Sequence, residues 1–261
     1  MKLAVAATGS FGADVLTRLA ADHDVDYVLT RPDRPKGRGR QLAPPAAKEV
    51  AERLALEVRQ PQRLAGVELE VDTVVLVDYG ALIPSELLEQ ALWLNVHPSL
   101  LPRWRGAAPV ERAIMAGDDE TGVSIIQLVE ELDAGPVGAA QGFRIGPHDD
   151  AGAVYDRAAE VAPGLIDQTL SGAEFRPQEG EPTYAEKIGP ADRELDWSRP
   201  AQELHNLIRA LAPHIGARAE LYGRPVIVWR SSIEDGELKI LELQPEGRRR
   251  MTLDEFERGL R

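Results

Sequence analysis

The chain opens on an apolar run, Leu3-Ala4-Val5-Ala6-Ala7, that is too short for a helix and stops at Thr8-Gly9-Ser10. Such a run predicts a buried strand over residues 2–7. A glycine-containing turn follows, then apolar positions spaced for an amphipathic helix over 11–21. The alternation repeats with a strand over 26–30, a helix over 46–56, the buried strand Thr73-Val74-Val75-Leu76-Val77, a helix over 84–90 opened by Pro84, and a strand over 92–96. Val123, Ile125, Gln127 and Val129 alternate, which predicts a strand over 121–129 with one drier face, and a long helix should occupy 151–170. Strands alternating with helices imply βαβ units. The expected fold class is therefore α/β, an open, mostly parallel sheet with flanking helices.

The texture then changes. Residues 175–200 are rich in proline, glycine and acids without sustained periodicity, and read as a linker crossing the surface. Beyond it, 201–211 is helical, and short strands are expected over 218–222, 226–229 and 238–243, joined by Gly223-Arg224-Pro225 and Asp235-Gly236. The expected organisation is an α/β domain over 1–180, a linker over 181–200 and a small β-rich domain over 201–261.

Composition narrows the function. With 43% apolar and 28% charged residues in 261, the chain has the balance of a globular protein. No apolar run approaches the roughly 20 residues of a membrane helix, and the N-terminal run is too short for a signal peptide. No cysteine is present, which excludes disulfides, a thiolate nucleophile and cysteine zinc sites. A cytoplasmic location is the simplest expectation. A net charge of −13 argues against a general nucleic-acid binder. Two basic clusters break that acidic background: Arg31, Arg34, Lys36, Arg38 and Arg40, in a loop punctuated by Pro32, Pro35, Gly37 and Gly39, and Arg248-Arg249-Arg250.

Ala7-x-Gly9-x-x-Gly12, between a strand and a helix, approaches a dinucleotide fingerprint, but its first glycine is alanine. A tight strand-to-helix turn is the favoured reading over a nicotinamide site. The histidines form no metal-spaced cluster, so no metal is expected, and there is no P-loop or Gly-x-Ser-x-Gly elbow. The informative stretch is Asn95-Val96-His97-Pro98-Ser99-Leu100-Leu101-Pro102, beginning at the C-terminal end of a strand, where open parallel sheets place their ligands. Asn95 and His97 project to one side of that strand. An amide donor beside an imidazole suits acyl transfer: one stabilises a developing oxyanion, the other manages a proton near neutral pH. Asp133, in Leu132-Asp133-Ala134-Gly135-Pro136 after the next strong strand, is placed to reach the same crevice and orient the imidazole.

Asn95-x-His97-x-Ser99-Leu100-Leu101-Pro102, continuing through Arg105-Gly106 to Pro109 with Asp133 downstream, resembles the signature of folate-dependent formyltransferases. The resemblance implies Asn95, His97 and Asp133 as the catalytic group and 10-formyltetrahydrofolate as co-substrate. It also implies a reduced-folate site formed by Tyr79, Gly80, Leu82 and Ile83, by Ser99, Leu100, Leu101 and Pro102, and by Asp133. The basic loop resembles the one with which the branch acting on initiator methionyl-tRNA approaches the acceptor end. Arg31, Arg34, Lys36, Arg38 and Arg40 are thereby implied as RNA contacts. Arg103-Trp104-Arg105-Gly106-Ala107-Ala108-Pro109, Gly117-Asp118-x-x-Thr121-Gly122-Val123 and Thr183-Tyr184-Ala185-x-Lys187-Ile188 fit that branch too.

Two departures stand out. Ala7-Thr8-Gly9-Ser10-Phe11-Gly12 replaces the family's Gly-Thr-Pro-x-Phe-Ala, and Asp78 stands where a small residue is common. The C-terminal region is also too short for the five-stranded oligonucleotide-binding barrel that the resemblance implies, so a truncated barrel is expected. An amino sugar nucleotide is the alternative acceptor.

Overall fold

β1 (Leu3–Ala7) is buried at all five positions, which explains the uninterrupted apolar run: a strand covered on both faces has no use for polar alternation. It lies inside a seven-stranded sheet. The other strands are β2 (Val25–Leu29), β3 (Glu57–Arg59), β4 (Thr73–Val77), β5 (Leu92–His97), β6 (Glu120–Gln127) and β7 (Val137–Arg144), in the order β7-β6-β5-β4-β1-β2-β3. The ladders β1–β2, β1–β4, β2–β3 and β4–β5 are parallel, and β5–β6 is antiparallel. The expected open, mostly parallel α/β sheet is present. The strand order reverses at β1, so the C-terminal ends of β1 and β4 flank the crevice where such sheets bind ligands. The computed structural model describes residues 2–36 and 41–260; Gly37, Arg38, Gly39 and Arg40 lie outside them.

Helices α1 (Ser10–Asp22), α2 (Ala46–Arg53), α3 (Ser85–Leu88), α4 (Pro109–Ala116) and α5 (Ala151–Leu170) alternate with these strands. Three elements escape the hydrophobic pattern. β3 is only Glu-Val-Arg, and β7, Val-Gly-Ala-Ala-Gln-Gly-Phe-Arg, has little intrinsic strand preference; each forms against a neighbour in the sheet. α4, hidden in what reads as a proline-rich loop, uses Pro109 at its first turn, where a missing N–H costs nothing, and ends on left-handed Gly117.

The chain divides into two compact units, one comprising Met1–Pro102, Gly122–Gln141 and Asp156–Glu181, the other Arg103–Thr121, Gly142–Tyr155 and Pro182–Arg261. In the first, Trp93 and Tyr27 fill the core beside Val74 and Leu87, and the buried indole N–H donates to the Leu87 carbonyl at 2.8 Å. In the second, β8 (Ala217–Leu221), β9 (Arg224–Glu234), β10 (Glu237–Pro245) and β11 (Met251–Thr252) form a four-stranded antiparallel sheet in that order. Leu204, Leu207, Ile208 and Leu211 make one face of α6 (Ala201–Leu211), in a cluster with Val226, Val228 and Leu243.

Asp235 and Gly236, expected to join two strands, form a two-residue hairpin turn with φ of 52° and 80° between two long strands. Its sheet edges are blunted. β11 is two residues long, and the Arg218 carbonyl of β8 accepts the Leu195 N–H at 2.8 Å. The stretch read as a surface linker is anchored: Tyr184–Ala185 pairs with Arg105–Gly106, and Ala185 and Leu195 are buried. Among the described residues no helix is long and apolar enough to cross a membrane.

Candidate active site

Asn95 and His97 lie two apart on β5 and so share a face of the sheet. Both are buried, with 7% and 4% of their surface exposed, as is Asp133 at 8%. Asn95 Nδ2 donates to Asp133 Oδ1 at 3.1 Å, and His97 Nδ1 lies 3.7 Å from Asp133 Oδ2. One carboxylate thus spans both side chains. The three residues expected to act together are brought together.

The loop after β6 delivers Asp133 through a tight turn. Gln127 N–H donates to the Pro136 carbonyl at 3.0 Å, and a Cβ at Gly135 would collide with the Gln127 carbonyl, so only glycine fits. Asp133 itself is left-handed at φ 48°. Gln178 ties the turn down, donating to the carbonyls of Asp133 (2.7 Å) and Gly135 (2.9 Å). Nothing in the irregular stretch around Gln178 signals this role. Ser124, the cross-strand partner of His97, is a second residue that sequence reasoning missed. Its hydroxyl donates to the Ser99 carbonyl at 2.8 Å and accepts from Leu101 N–H at 3.2 Å, fixing the loop after β5 from beneath. Ser99, expected to face folate, is fully buried; the structure gives it a place in that loop's foundation.

The loop after β4 is the other wall. The Tyr79 ring is buried in the core, so this residue can offer a ligand only its backbone, whereas Leu82 is 88% exposed. Among the described residues no acceptor is found for the backbone N–H groups of Tyr79, Gly80, Ala81, Leu82 and Ile83. The carbonyls are held instead: Asp78 O accepts from Gly9 N–H (3.4 Å), Tyr79 O from Thr8 Oγ1 (2.8 Å) and Gly80 O from Arg31 Nη1 (3.1 Å). A run of unspent donors at the end of a central strand suits a flat ligand rich in acceptors.

The two departures from the family pattern meet at this point. A Cβ at Gly9 would fall inside the Asp78 carboxylate, so glycine in the β1 turn and the acid after β4 form a matched pair. Asp78 keeps one side open to solvent, yet the protein mass around its carboxyl disfavours the charge and pushes its pKa up to about 6.

In the second unit, three separate motifs form one clamp. Arg103 grips Asp118 through Nε (2.8 Å) and Nη2 (2.6 Å), and Asp118 also accepts the Trp104 indole N–H at 2.8 Å. Trp104 N–H donates to Thr183 Oγ1, and the Ala185 carbonyl accepts from Ala107 at 2.8 Å, with no room for a side chain at Gly106. A groove in the same unit is lined by Arg224, Arg248, Arg249 and Arg258. Arg250 is held apart from it, stacked 3.7 Å over Trp229 and donating to the Pro213 carbonyl. Of the basic loop, Arg34 is exposed at the start of a short hairpin, Arg34–Lys36 with Gln41–Ala43, whereas Arg31 turns towards the loop after β4. Arg38 and Arg40 lie outside the described residues. Among the described residues no group of three or more side chains could hold a metal ion.

The family model described as formyl transferase matches residues 1–170, and that of the formyl transferase C-terminal domain matches 187–239. The chain belongs to the formyl transferase family. A protein of Paracoccus denitrificans named methionyl-tRNA formyltransferase is 40% identical over 292 residues, covering 100% of this chain and 98% of its own length. Another of that name from Chromobacterium violaceum is 40% identical over 252 residues, 90% of this chain and 82% of its own. The Paracoccus alignment contains the whole 261-residue chain and is longer than it, so the relative carries residues that this chain lacks.

Among solved structures, methionyl-tRNA formyltransferase from Clostridium thermocellum superposes with a TM-score of 0.68 at 16% identity, covering 94% of this chain and 98% of that one. HypX from Aquifex aeolicus in complex with tetrahydrofolic acid gives 0.69 at 17%, covering 98% of this chain and 46% of that one. These two likenesses establish the fold.

Proposed function

We propose that this formyltransferase moves the formyl group of 10-formyltetrahydrofolate to the α-amine of initiator methionyl-tRNA. The observation that carries the chemistry is Asp133 bridging Asn95 and His97 at the end of β5. The acceptor is inferred from two relatives about 40% identical over most or all of the chain. An ester-linked α-amine titrates below the usual 7.7–8.0, so much of it is neutral at pH 7 and ready to attack. The amine nitrogen bonds to the formyl carbon, the carbonyl oxygen gains charge, and the bond to N10 of the folate then breaks as N10 gains a proton. Asn95 and His97 donate hydrogen bonds to that oxygen; Asp133 holds both and helps remove the amine's proton. Loss of one such donor costs about 2.7–4 kcal/mol of barrier.

The N–H groups of residues 79–83 are the proposed pterin contacts, and exposed Leu82 lies in the same loop. For the RNA, the proposed contacts are exposed Arg34 with Lys36, Arg38 and Arg40. The test offers the purified protein 10-formyltetrahydrofolate with charged initiator tRNA and an amino sugar nucleotide together. Formyl-methionyl-tRNA as the main product supports this acceptor; a formylated sugar overturns it.

A further inference from the structure

Arg31 and Arg34 do not share one environment. Arg34 is exposed, and no hydrogen bond or ion pair of its side chain is found among the described residues. Arg31 is built in. Its carbonyl accepts from Gln60 Nε2 at 2.8 Å, and the same amide group donates to Asp33 Oδ1 at 2.8 Å. Lys48 Nζ sits 2.9 Å from both Asp33 oxygens. Gln60 first, and Lys48 after it, hold the Asp33 carboxyl below the usual range, so this anchor stays charged at neutral pH. From that fixed base the Arg31 side chain reaches back across the sheet end and donates to the Gly80 carbonyl.

Gly80 is left-handed at φ 73° and lies two residues after left-handed Asp78. Among the described residues the loop's other tethers are Gly9 N–H on Asp78 O and Thr8 Oγ1 on Tyr79 O, so the Arg31 contact is the hold furthest along the loop. A loop whose carbonyls are fixed presents its donors in one arrangement, and a ligand then meets little ordering cost. Without the third tether, Gly80 has the widest conformational choice of any residue in the loop.

We propose that Arg31 is a positioning residue for the folate-side loop and not an RNA contact. This rests on the reading that reduced folate sits against residues 79–83. It divides the basic segment by function: Arg31 serves the formyl donor, and Arg34 with its neighbours serves the phosphates of the acceptor.

The test uses the full-length protein in four forms, wild type, Arg31→Ala, Arg31→Lys and Arg34→Ala. Calorimetry with 5-formyltetrahydrofolate in the absence of RNA gives folate affinity; formylation kinetics give KM for each substrate across a salt series. Arg31→Ala should weaken folate binding at least about tenfold, the scale of one hydrogen bond from a charged donor, and raise KM for the formyl donor in step. Its KM for charged tRNA and its salt slope should match wild type. Arg31→Lys, which can still donate to the Gly80 carbonyl, should recover most of the folate affinity. Arg34→Ala should show the reverse pattern, with tRNA affected and folate not. Unchanged folate affinity in Arg31→Ala, or a loss confined to tRNA with a shallower salt slope, overturns the proposal. Hydrogen exchange on wild type separates this from the reading beneath it. Folate should protect the amides of residues 79–83. Binding without that protection removes the folate from this loop and overturns both.

Discussion

Asp133 Oδ1 accepts the Asn95 amide N–H at 3.1 Å while its second oxygen faces His97 Nδ1 at 3.7 Å. A carboxylate shared in this way fixes two things at once: which end of the Asn95 amide faces the sheet, and which imidazole nitrogen faces away from Asp133. Asp133→Asn keeps the shape but loses the carboxylate that accepts from both neighbours and introduces a donor opposite a donor. A fall in kcat of at least about 10²-fold is expected, with KM for both substrates nearly unchanged. Steady-state kinetics on the folded variant check it; a tenfold rise in either KM with kcat preserved would instead make Asp133 a binding residue.

Gln178 should matter through the same carboxylate. Gln178→Ala leaves the carbonyls of Asp133 and Gly135 without their donor and loosens the left-handed turn. The expected result is a drop in kcat of about tenfold, with a modest loss of stability of about 1 kcal/mol. Thermal melts alongside kinetics separate the two effects.

The matched pair of Gly9 and Asp78 gives a double-mutant test. Gly9→Ala alone forces a Cβ into the Asp78 carboxylate and should cost about 1–3 kcal/mol, as overpacking does. Asp78→Ala alone removes a carboxylate that burial disfavours and should be tolerated. In the double variant the penalty of Gly9→Ala should largely vanish. Denaturant melts of the four proteins give the coupling, and additive effects would show that the two positions are independent.

Asp78 also supplies a pH dependence with a definite sign. Its pKa is raised to about 6 in the fold from an ordinary carboxylate value near 4. The folded state therefore binds the proton more tightly, and stability falls as pH rises through roughly 4 to 6. Asp78→Asn removes that loss, so its stabilisation should be full above pH 6 and shrink as pH falls towards 4. One side of Asp78 meets solvent, so the gain is about 1 kcal/mol, or ~2–4 °C in Tm. Melting curves at pH 4, 5.5 and 7.5 check it; an equal gain at all three would mean the charge is not the cause.

Much of this architecture was legible in the chain. The β1 and β4 runs are continuous because both sheet faces are covered, and the two-residue spacing of Asn95 and His97 puts both side chains on one face of β5. Elements that depend on neighbours were not legible. β7 carries two glycines and gains its form against β6 and, at Val137, against Arg176, and α4 begins in a proline-rich loop. The C-terminal sheet was legible in part: the region is short, and Asp235-Gly236 is the turn a two-residue hairpin requires between two strands of its four-stranded sheet.

The site was legible where a motif concentrates it and opaque where single residues act at long range. Gln178 and Ser124 work by one hydrogen bond or two across the fold, and nothing local marks them. Arg31 was grouped with Arg34 by charge, but its partner, Gly80, lies 49 positions away. The two departures at Gly9 and Asp78 looked independent in sequence; in space they are one compensated change.

The most direct measurement is single-turnover formylation of charged initiator tRNA by wild type and by His97→Ala, with 10-formyltetrahydrofolate saturating and folding verified by circular dichroism. Wild type should yield formyl-methionyl-tRNA, and His97→Ala should yield it at least about 10²-fold more slowly with both substrates still bound. A folded His97→Ala protein that formylates at the wild-type rate would contradict the role given to the Asn95, His97 and Asp133 group.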